Sequence, residues 1–192
     1  MNMPLIACLG WGSLVWDHGD LPRTGEWLVD GPMIPVEFAR QSTRGSSAGA
    51  LTLVLVPGHT AVKSLWVPLK VDTAVEARAA LGRRERIPEQ NWQISIALWQ
   101  DSDKDAPAIP EIANWARARD ISALVWTALP PRFGDESDRV PTADEAVDYL
   151  RNLSGIQKQN AEQYVRKAPL QIDTPYRQRF IAELGWTPNG KI

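Results

Sequence analysis

"LIACLGWGSLVW", residues 5–16, joins an apolar run to a turn of glycine, tryptophan, glycine and serine. Residues 5–9 carry no charged side chain, which is typical of a buried β-strand, and Gly10 ends the run. Glycine on both sides of Trp11 permits backbone angles that other residues avoid, so successive N–H groups can point into one concavity. With the Ser13 hydroxyl added, this concavity suits a carboxylate; the alternative is a tight turn that binds nothing.

The length and charge of the chain narrow the class of partner. Its 192 residues suit a single domain, residues 1–192, with one core. There are 21 Lys and Arg against 23 Asp and Glu, a net charge of −2, without a long run of like charge. This argues against nucleic acid or a membrane as partner and favours a small molecule or another protein. Because the first residues lack the pattern of a targeting segment, we expect a cytoplasmic protein.

Hydrophobic patterning predicts mostly strands in the first half of the chain and mostly helices in the second. Strands are expected at residues 5–9, 35–38, 50–56, 62–69, 92–99 and 122–129. Helices are expected at residues 73–82, 111–119, 142–153, 154–166 and 175–184, with capping boxes at Thr73, Thr142 and Ser154. About six largely antiparallel strands, followed by a helical C-terminal part at about 142–186, indicate an α+β fold with a small sheet or barrel.

The motif "GWGSLVW" at residues 10–16 resembles the "GYGSL(I/V)W" signature of the ChaC-type cyclotransferases in the gamma-glutamylcyclotransferase superfamily, with Trp11 at the tyrosine position. A second segment, residues 61–99, is similar to the family's strand, short helix, "L-x-x-x-E" and strand. In it Glu85 stands four residues after Leu81, at the family's catalytic position, and Arg84 completes the "RE" pair. The middle segments "EFARQSTRG" and "LTLVLVPG" are loosely similar to the family's middle strands.

This resemblance implies a small β-barrel with peripheral helices and a reaction that cyclises a γ-glutamyl group to 5-oxoproline. Glu85 would be the general acid and base, and the partner a small γ-glutamyl compound. The residues implied to contact the substrate are Gly10, Trp11, Gly12, Ser13, Leu14 and Trp92. Neither a metal nor a cofactor takes part, which agrees with a chain that has one cysteine and two histidines.

Arg40 is a further candidate for binding the substrate carboxylate, because a guanidinium binds a carboxylate with two hydrogen bonds. The alternative for Arg40 is a surface salt bridge. For Glu85 the alternative is a solvated charge at a helix end, and Glu89 takes its place if the register differs.

Two other functions remain open. The first is a binding or regulatory protein that recognises a small carboxylate. It is favoured by tryptophan at positions 11 and 92, where relatives carry tyrosine, because an indole donates a hydrogen bond but neither accepts one nor exchanges a proton. The second is an enzyme that removes the γ-glutamyl group from a biosynthetic intermediate and differs only in the leaving amine. The sequence predicts no oligomeric state.

Overall fold

A computed structural model describes residues 4–102 and 109–190, in which all ten strands precede the last three helices. The strands are β1 (Leu5–Gly10), β2 (Met33–Ile34), β3 (Val36–Gln41), β4 (Leu51–Leu55), β5 (Val62–Lys63), β6 (Leu65–Pro68), β7 (Ile96–Gln100), β8 (Ile121–Thr127), β9 (Arg132–Phe133) and β10 (Glu136–Ser137). The helices are α1 (Ser13–Trp16), α2 (Ala74–Arg84), α3 (Trp92–Ser95), α4 (Pro110–Arg117), α5 (Ala143–Asn152), α6 (Gly155–Lys167) and α7 (Pro175–Leu184). This content confirms the α+β class. None of these helices in the described chain is long and apolar enough to cross a bilayer.

The contacts divide the chain into two units, and neither unit is one continuous stretch of sequence. Unit 1 holds the described residues of Met1–Gly10, Asp17–Ile34 and Lys63–Leu129. Unit 2 holds those of Trp11–Trp16, Pro35–Val62 and Pro130–Ile192. The single domain expected over residues 1–192 stays a prediction.

Unit 1 is organised around a four-stranded sheet in the order β6-β1-β8-β7. Strand β1 pairs antiparallel with β6 and parallel with β8, so that Cys8 lies opposite Val67 on one side and Val125 on the other. Five of the six β1 residues are buried, as expected for a continuous apolar run in the middle of a sheet. Helix α2 packs against β1, β7 and β8 and buries Ala77 and Leu81.

Unit 2 has a second four-stranded sheet, in the order β10-β9-β3-β4. A β-bulge between Phe38 and Arg40 interrupts the antiparallel pairing of β3 with β4. The Phe38 ring meets the rings of Phe180 and Tyr164 edge-on, with centroids 5.6 and 6.3 Å apart. These contacts bring α6 and α7 onto β3 and form an aromatic core.

Glu37 in β3 is a fully buried carboxylate at the start of α7. It accepts hydrogen bonds from the backbone N–H groups of Phe38 (2.9 Å) and Tyr176 (3.2 Å) and from the Thr174 hydroxyl. Burial nevertheless raises the pKa of Glu37 to about 6, because removing a charge from water outweighs these three donors. Glu37 is therefore a buried acid that is held by dipoles alone.

The sheet topology corrects the prediction of a β-barrel. Each of the two larger sheets ends in edge strands, β6 and β7 in unit 1 and β10 and β4 in unit 2, and no sheet among the described residues closes on itself. Four strands are too few to enclose side chains, which takes about eight. The expected number of strands is close, since six of the ten exceed two residues, and four of the six strand pairings in the two larger sheets are antiparallel, as predicted.

Several local predictions are confirmed and three are wrong. The capping boxes at Thr73 and Thr142 form, and Gly185 ends α7 with a φ of 71°. Residues 92–95 form a helical turn rather than the start of a strand, and Ile94 is exposed. Helix α2 continues through Gly82 to Arg84, and Ser154 makes no side-chain cap for α6. The polar, proline-containing stretch at residues 101–110 predicts a loop, of which residues 103–108 lie outside the described residues.

Candidate functional site

Glu85 occupies the C-cap of α2 in unit 1. The helix begins with the reciprocal bonds of Thr73 and Glu76, and the backbone N–H of Glu85 donates to the Leu81 carbonyl at 2.9 Å. Arg83 and Arg84 lie in the last turn, where positive charge stabilises the negative end of the helix dipole. The spacing between Leu81 and Glu85 is thus one helical turn, which places both residues on the same side of α2.

Arg84 holds the Glu85 carboxylate. Its Nη1 donates to Glu85 Oε1 at 2.6 Å, and its Nη2 donates to the Asp17 carbonyl oxygen. The side chains are 9% exposed for Arg84 and 18% exposed for Glu85, so this carboxylate is not a solvated surface charge. Burial raises the pKa of Glu85 above its ordinary value, the positive charge of Arg84 opposes this, and the negative charge of Asp17 adds to it.

Glu85 also lies close enough to β1 to act on its electrostatics. The pKa of the buried Cys8 thiol is raised well above its usual range, first by burial and then by the negative charge of Glu85. Gly10 is the last residue of β1, and Asp17 is the residue that Arg84 binds. Both residues that flank segment 11–16 therefore belong, with Glu85, to unit 1.

Trp92 fixes the loop that follows Glu85. Its indole lies against Gly82, where an added Cβ would come within 2.3 Å of the indole nitrogen. The indole N–H donates to the Ile87 carbonyl at 2.8 Å. Trp92 therefore packs the chain after α2, and its single donor is already used. Glu89, in a 3₁₀ turn of the same loop (Glu89–Asn91), is exposed.

Within unit 2, Trp11 and Gly12 pack against Leu53 and Tyr164. The Trp11 side chain is buried, and its N–H donates to the Leu53 carbonyl at 3.2 Å. The backbone N–H of Leu53 donates to the Tyr164 hydroxyl at 3.2 Å, and a Cβ on Gly12 would lie 2.7 Å from that oxygen. Gly12 is required by this close approach.

The structure corrects one point of the prediction that residues 10–13 form an anion-binding concavity. Neither Gly10 nor Gly12 adopts a positive φ, so the alternating backbone that forms such an anion site is not built from these two glycines. Ser13 and Leu14 begin the single helical turn α1, with Ser13 half-buried and Leu14 buried. Their binding roles stay predictions.

Arg40 lies in β3 of unit 2 and is half-buried. Its Nη1 donates to the Pro130 carbonyl at 2.6 Å, and no carboxylate of the described residues forms an ion pair with it. Burial and the positive charge of Arg132 lower the pKa of Arg40. A surface salt bridge, the alternative for Arg40, does not form among the described residues.

Three features of these surroundings were missed by sequence reasoning. The motif identifies Arg84 only as part of the "RE" pair, although it is the residue that orients Glu85. The sequence pattern predicts a helix end at Gly82, although its lack of a side chain accommodates the Trp92 ring. No sequence signal pointed to Arg132, which stands beside Arg40 only because β9 pairs with β3.

The sequence matches no protein-family model, and no curated protein matches it. The resemblance of residues 10–16 and 61–99 to the cyclotransferases therefore depends on those residues themselves and stays a prediction.

Proposed function

We propose that this chain is a gamma-glutamylcyclotransferase-type enzyme that cyclises a γ-glutamyl group to 5-oxoproline and releases an amine or amino acid. The observation that carries the proposal is the state of Glu85. This carboxylate is largely withdrawn from solvent, is oriented by Arg84, and has a raised pKa. A perturbed carboxylate with one defined partner is a common attribute of a catalytic acid or base.

The reaction needs one group that can move protons between two nitrogens. The α-amino nitrogen attacks the γ-carbonyl carbon, a new N–C bond closes the lactam ring, and the C–N bond to the leaving amine breaks. Two protons leave the attacking nitrogen and two reach the leaving nitrogen, so the reaction balances without water or a cofactor. Glu85 would take up a proton from the first nitrogen and deliver it to the second.

The raised pKa of Glu85 supports this role. An α-ammonium has an ordinary pKa of about 8, and proton transfer is most effective when the pKa of the base approaches that of the acid. Burial moves the Glu85 carboxyl in that direction. The bond from Arg84 fixes the orientation of the carboxylate, and a reaction within one molecule depends strongly on such positioning.

Substrate binding is proposed for residues 10–14 and Arg40. The turn would hold the carboxylate of the γ-glutamyl group, as the motif resemblance implies. Arg40 has no carboxylate partner among the described residues, so its guanidinium is free of an internal ion pair. We propose in addition that the chain has the gamma-glutamylcyclotransferase fold.

The test is release of 5-oxoproline from glutathione, a series of γ-glutamyl amino acids and simple γ-glutamyl amines. Wild type is compared with Glu85→Gln, which keeps the shape of the side chain, and with Glu89→Gln as the exposed control. We expect Glu85→Gln to lower release at least about a hundredfold and Glu89→Gln to leave it unchanged. Full activity in Glu85→Gln, or loss in Glu89→Gln instead, overturns the assignment of Glu85.

A second candidate is a non-catalytic protein that binds a small carboxylate. It is favoured by the two tryptophans at tyrosine positions, because the N–H of Trp11 is bound by Leu53 and that of Trp92 by Ile87. Both indole N–H groups are therefore already used within the chain, and an indole has no hydroxyl of the kind that a tyrosine would supply. Saturable binding of a γ-glutamyl compound to wild type and Glu85→Gln, without release of 5-oxoproline from any member of the series, would establish this candidate.

A further inference from the structure

A row of polar residues crosses all four strands of the sheet in unit 2. Thr52 of β4 lies opposite Arg40 of β3, Arg40 lies opposite Arg132 of β9, and Arg132 lies opposite Ser137 of β10. Register partners on neighbouring strands project from the same face of a sheet. The row therefore places two guanidinium groups side by side, with a hydroxyl at each end.

The charges of this row are not balanced by the chain. Neither Arg40 nor Arg132 pairs with a carboxylate of the described residues, and both are half-buried. The nearby Arg139 differs, because Glu136 and Glu145 both bind it. Two adjacent positive charges that are partly removed from water repel each other, and the pKa of Arg40 is lowered first by burial and then by the positive charge of Arg132.

The hydrogen bonds of the row leave donors free. Arg40 uses Nη1 on the Pro130 carbonyl, and the Thr52 hydroxyl donates to the backbone carbonyl of Arg40 at 3.0 Å. The Thr52 hydroxyl thus stabilises the strand pairing, and its proton is not available to a ligand. No hydrogen bond among the described residues occupies the Arg132 guanidinium or the Ser137 hydroxyl.

We infer that the row Arg40–Arg132–Ser137 binds a small oxyanion that carries about two negative charges, either a phosphate group or a dicarboxylate. Paired guanidinium groups match the oxygens of such anions with several charge-assisted hydrogen bonds. A dianion also balances the two positive charges, which a monocarboxylate does not. The inference goes beyond the proposed cyclisation, with which it shares only Arg40.

The test is titration with inorganic phosphate, glutarate and acetate at constant ionic strength, followed by calorimetry and by NMR of the whole chain. Arg132→Gln and Arg40→Gln are compared with wild type and with Arg44→Gln, an exposed arginine of unit 2 without an ion pair among the described residues. We expect wild type and Arg44→Gln to bind phosphate or glutarate more tightly than acetate. Each row variant should weaken that binding by about tenfold or more, the loss typical of one charge-assisted contact. Preference for phosphate or for glutarate identifies the source of the oxyanion.

Two results would overturn the inference: no saturable binding of phosphate or glutarate to wild type, or equal affinities in Arg132→Gln and Arg44→Gln. Arg132→Lys is included in case the glutamine variant fails to fold, because it keeps the charge but loses the planar fork, and it should weaken binding severalfold. Release of 5-oxoproline is measured separately. Failure of either experiment is therefore recognised without the other.

Discussion

Glu85 and Glu37 are two buried carboxylates that the chain stabilises in opposite ways. Glu85 ends a helix in unit 1 and is bound by a guanidinium at 2.6 Å. Glu37 lies in β3 of unit 2, against the start of α7, and is bound by two backbone N–H groups and the Thr174 hydroxyl, without a cation. Burial raises the pKa of both, and the pKa of Glu37 reaches about 6.

The difference between them matches the chemical role proposed for Glu85 and a structural role for Glu37. All the donors of Glu37 belong to the fold itself, and its side chain is fully buried, so no ligand can reach it. The side chain of Glu85 is 18% exposed, and one defined partner orients it. A raised pKa is therefore not sufficient to mark a catalytic residue; access to the carboxylate decides.

The largest expected effect is on chemistry. Glu85→Gln should lower 5-oxoproline release at least about a hundredfold, whereas Glu37→Gln should change it by less than about twofold at a temperature where both variants are folded. The measurement is kcat/KM with the best substrate of the series. Equal losses in the two variants would contradict the distinction between the acids.

The next prediction concerns the packing of the Trp92 indole on Gly82, in the helix that ends at Glu85. Gly82→Ala places a methyl group 2.3 to 2.6 Å from three atoms of the Trp92 indole, which should cost about 3 kcal/mol in the free energy of unfolding. In a Trp92→Ala background the same substitution should instead stabilise by about 1 kcal/mol, because alanine favours a helix. Urea unfolding of the four proteins measures this coupling. Additive effects would show that the indole does not pack on Gly82.

The pH dependence of stability isolates Glu37. Its pKa is 4.5 in the unfolded chain and about 6 in the folded one, so the folded chain holds more protons between these values and loses stability as the pH rises through them. The difference corresponds to about 2 kcal/mol. We expect the loss in wild type to exceed that in Glu37→Gln by this amount in urea unfolding from pH 4 to pH 7, because Glu85, whose pKa is also raised, contributes equally to both proteins. Parallel profiles for the two proteins would refute the assignment.

The smallest effect concerns the cap beside Glu37. Thr142→Ala removes one cap bond, to Glu145, at an exposed helix start and should cost about 1 kcal/mol. Thr174→Ala removes the corresponding bond to Arg177 and also a donor to the Glu37 carboxylate, so it should cost about 1 kcal/mol more. Thermal unfolding of both variants, with Thr174→Ser as the control that keeps the hydroxyl, tests this excess. Equal costs would mean that Glu37 does not need the Thr174 hydroxyl.

Features that depend on neighbours in sequence could be predicted. The capping boxes at Thr73 and Thr142 and the glycine that ends α7 all involve residues within a few positions of each other. The apolar run at residues 5–9 predicts a strand, and β1 forms there and is buried. In these places the signal and the structure that it specifies occupy the same short segment.

Features that depend on distant residues could not be predicted. Trp92 looked like the start of a strand, but its packing on Gly82 and its bond to Ile87 hold residues 92–95 in a helical turn. The need for glycine at position 12 comes from Tyr164, in a helix far along the chain. The Arg40–Arg132 pair likewise exists only through strand pairing. Such contacts are set by tertiary packing, which a local pattern does not encode.

The position of β1 in its sheet has a consequence for how the protein is made. Strand β1 ends at Gly10, and its parallel partner β8 begins at Ile121, 111 residues later. A ribosome that adds ~5–20 residues per second takes roughly 6 to 20 seconds over that interval. During this time β6 can cover one edge of β1, while the other edge stays open in the nascent chain. The apolar strand that organises unit 1 is thus synthesised well before its parallel partner, and the backbone groups along that edge stay unpaired for the whole interval.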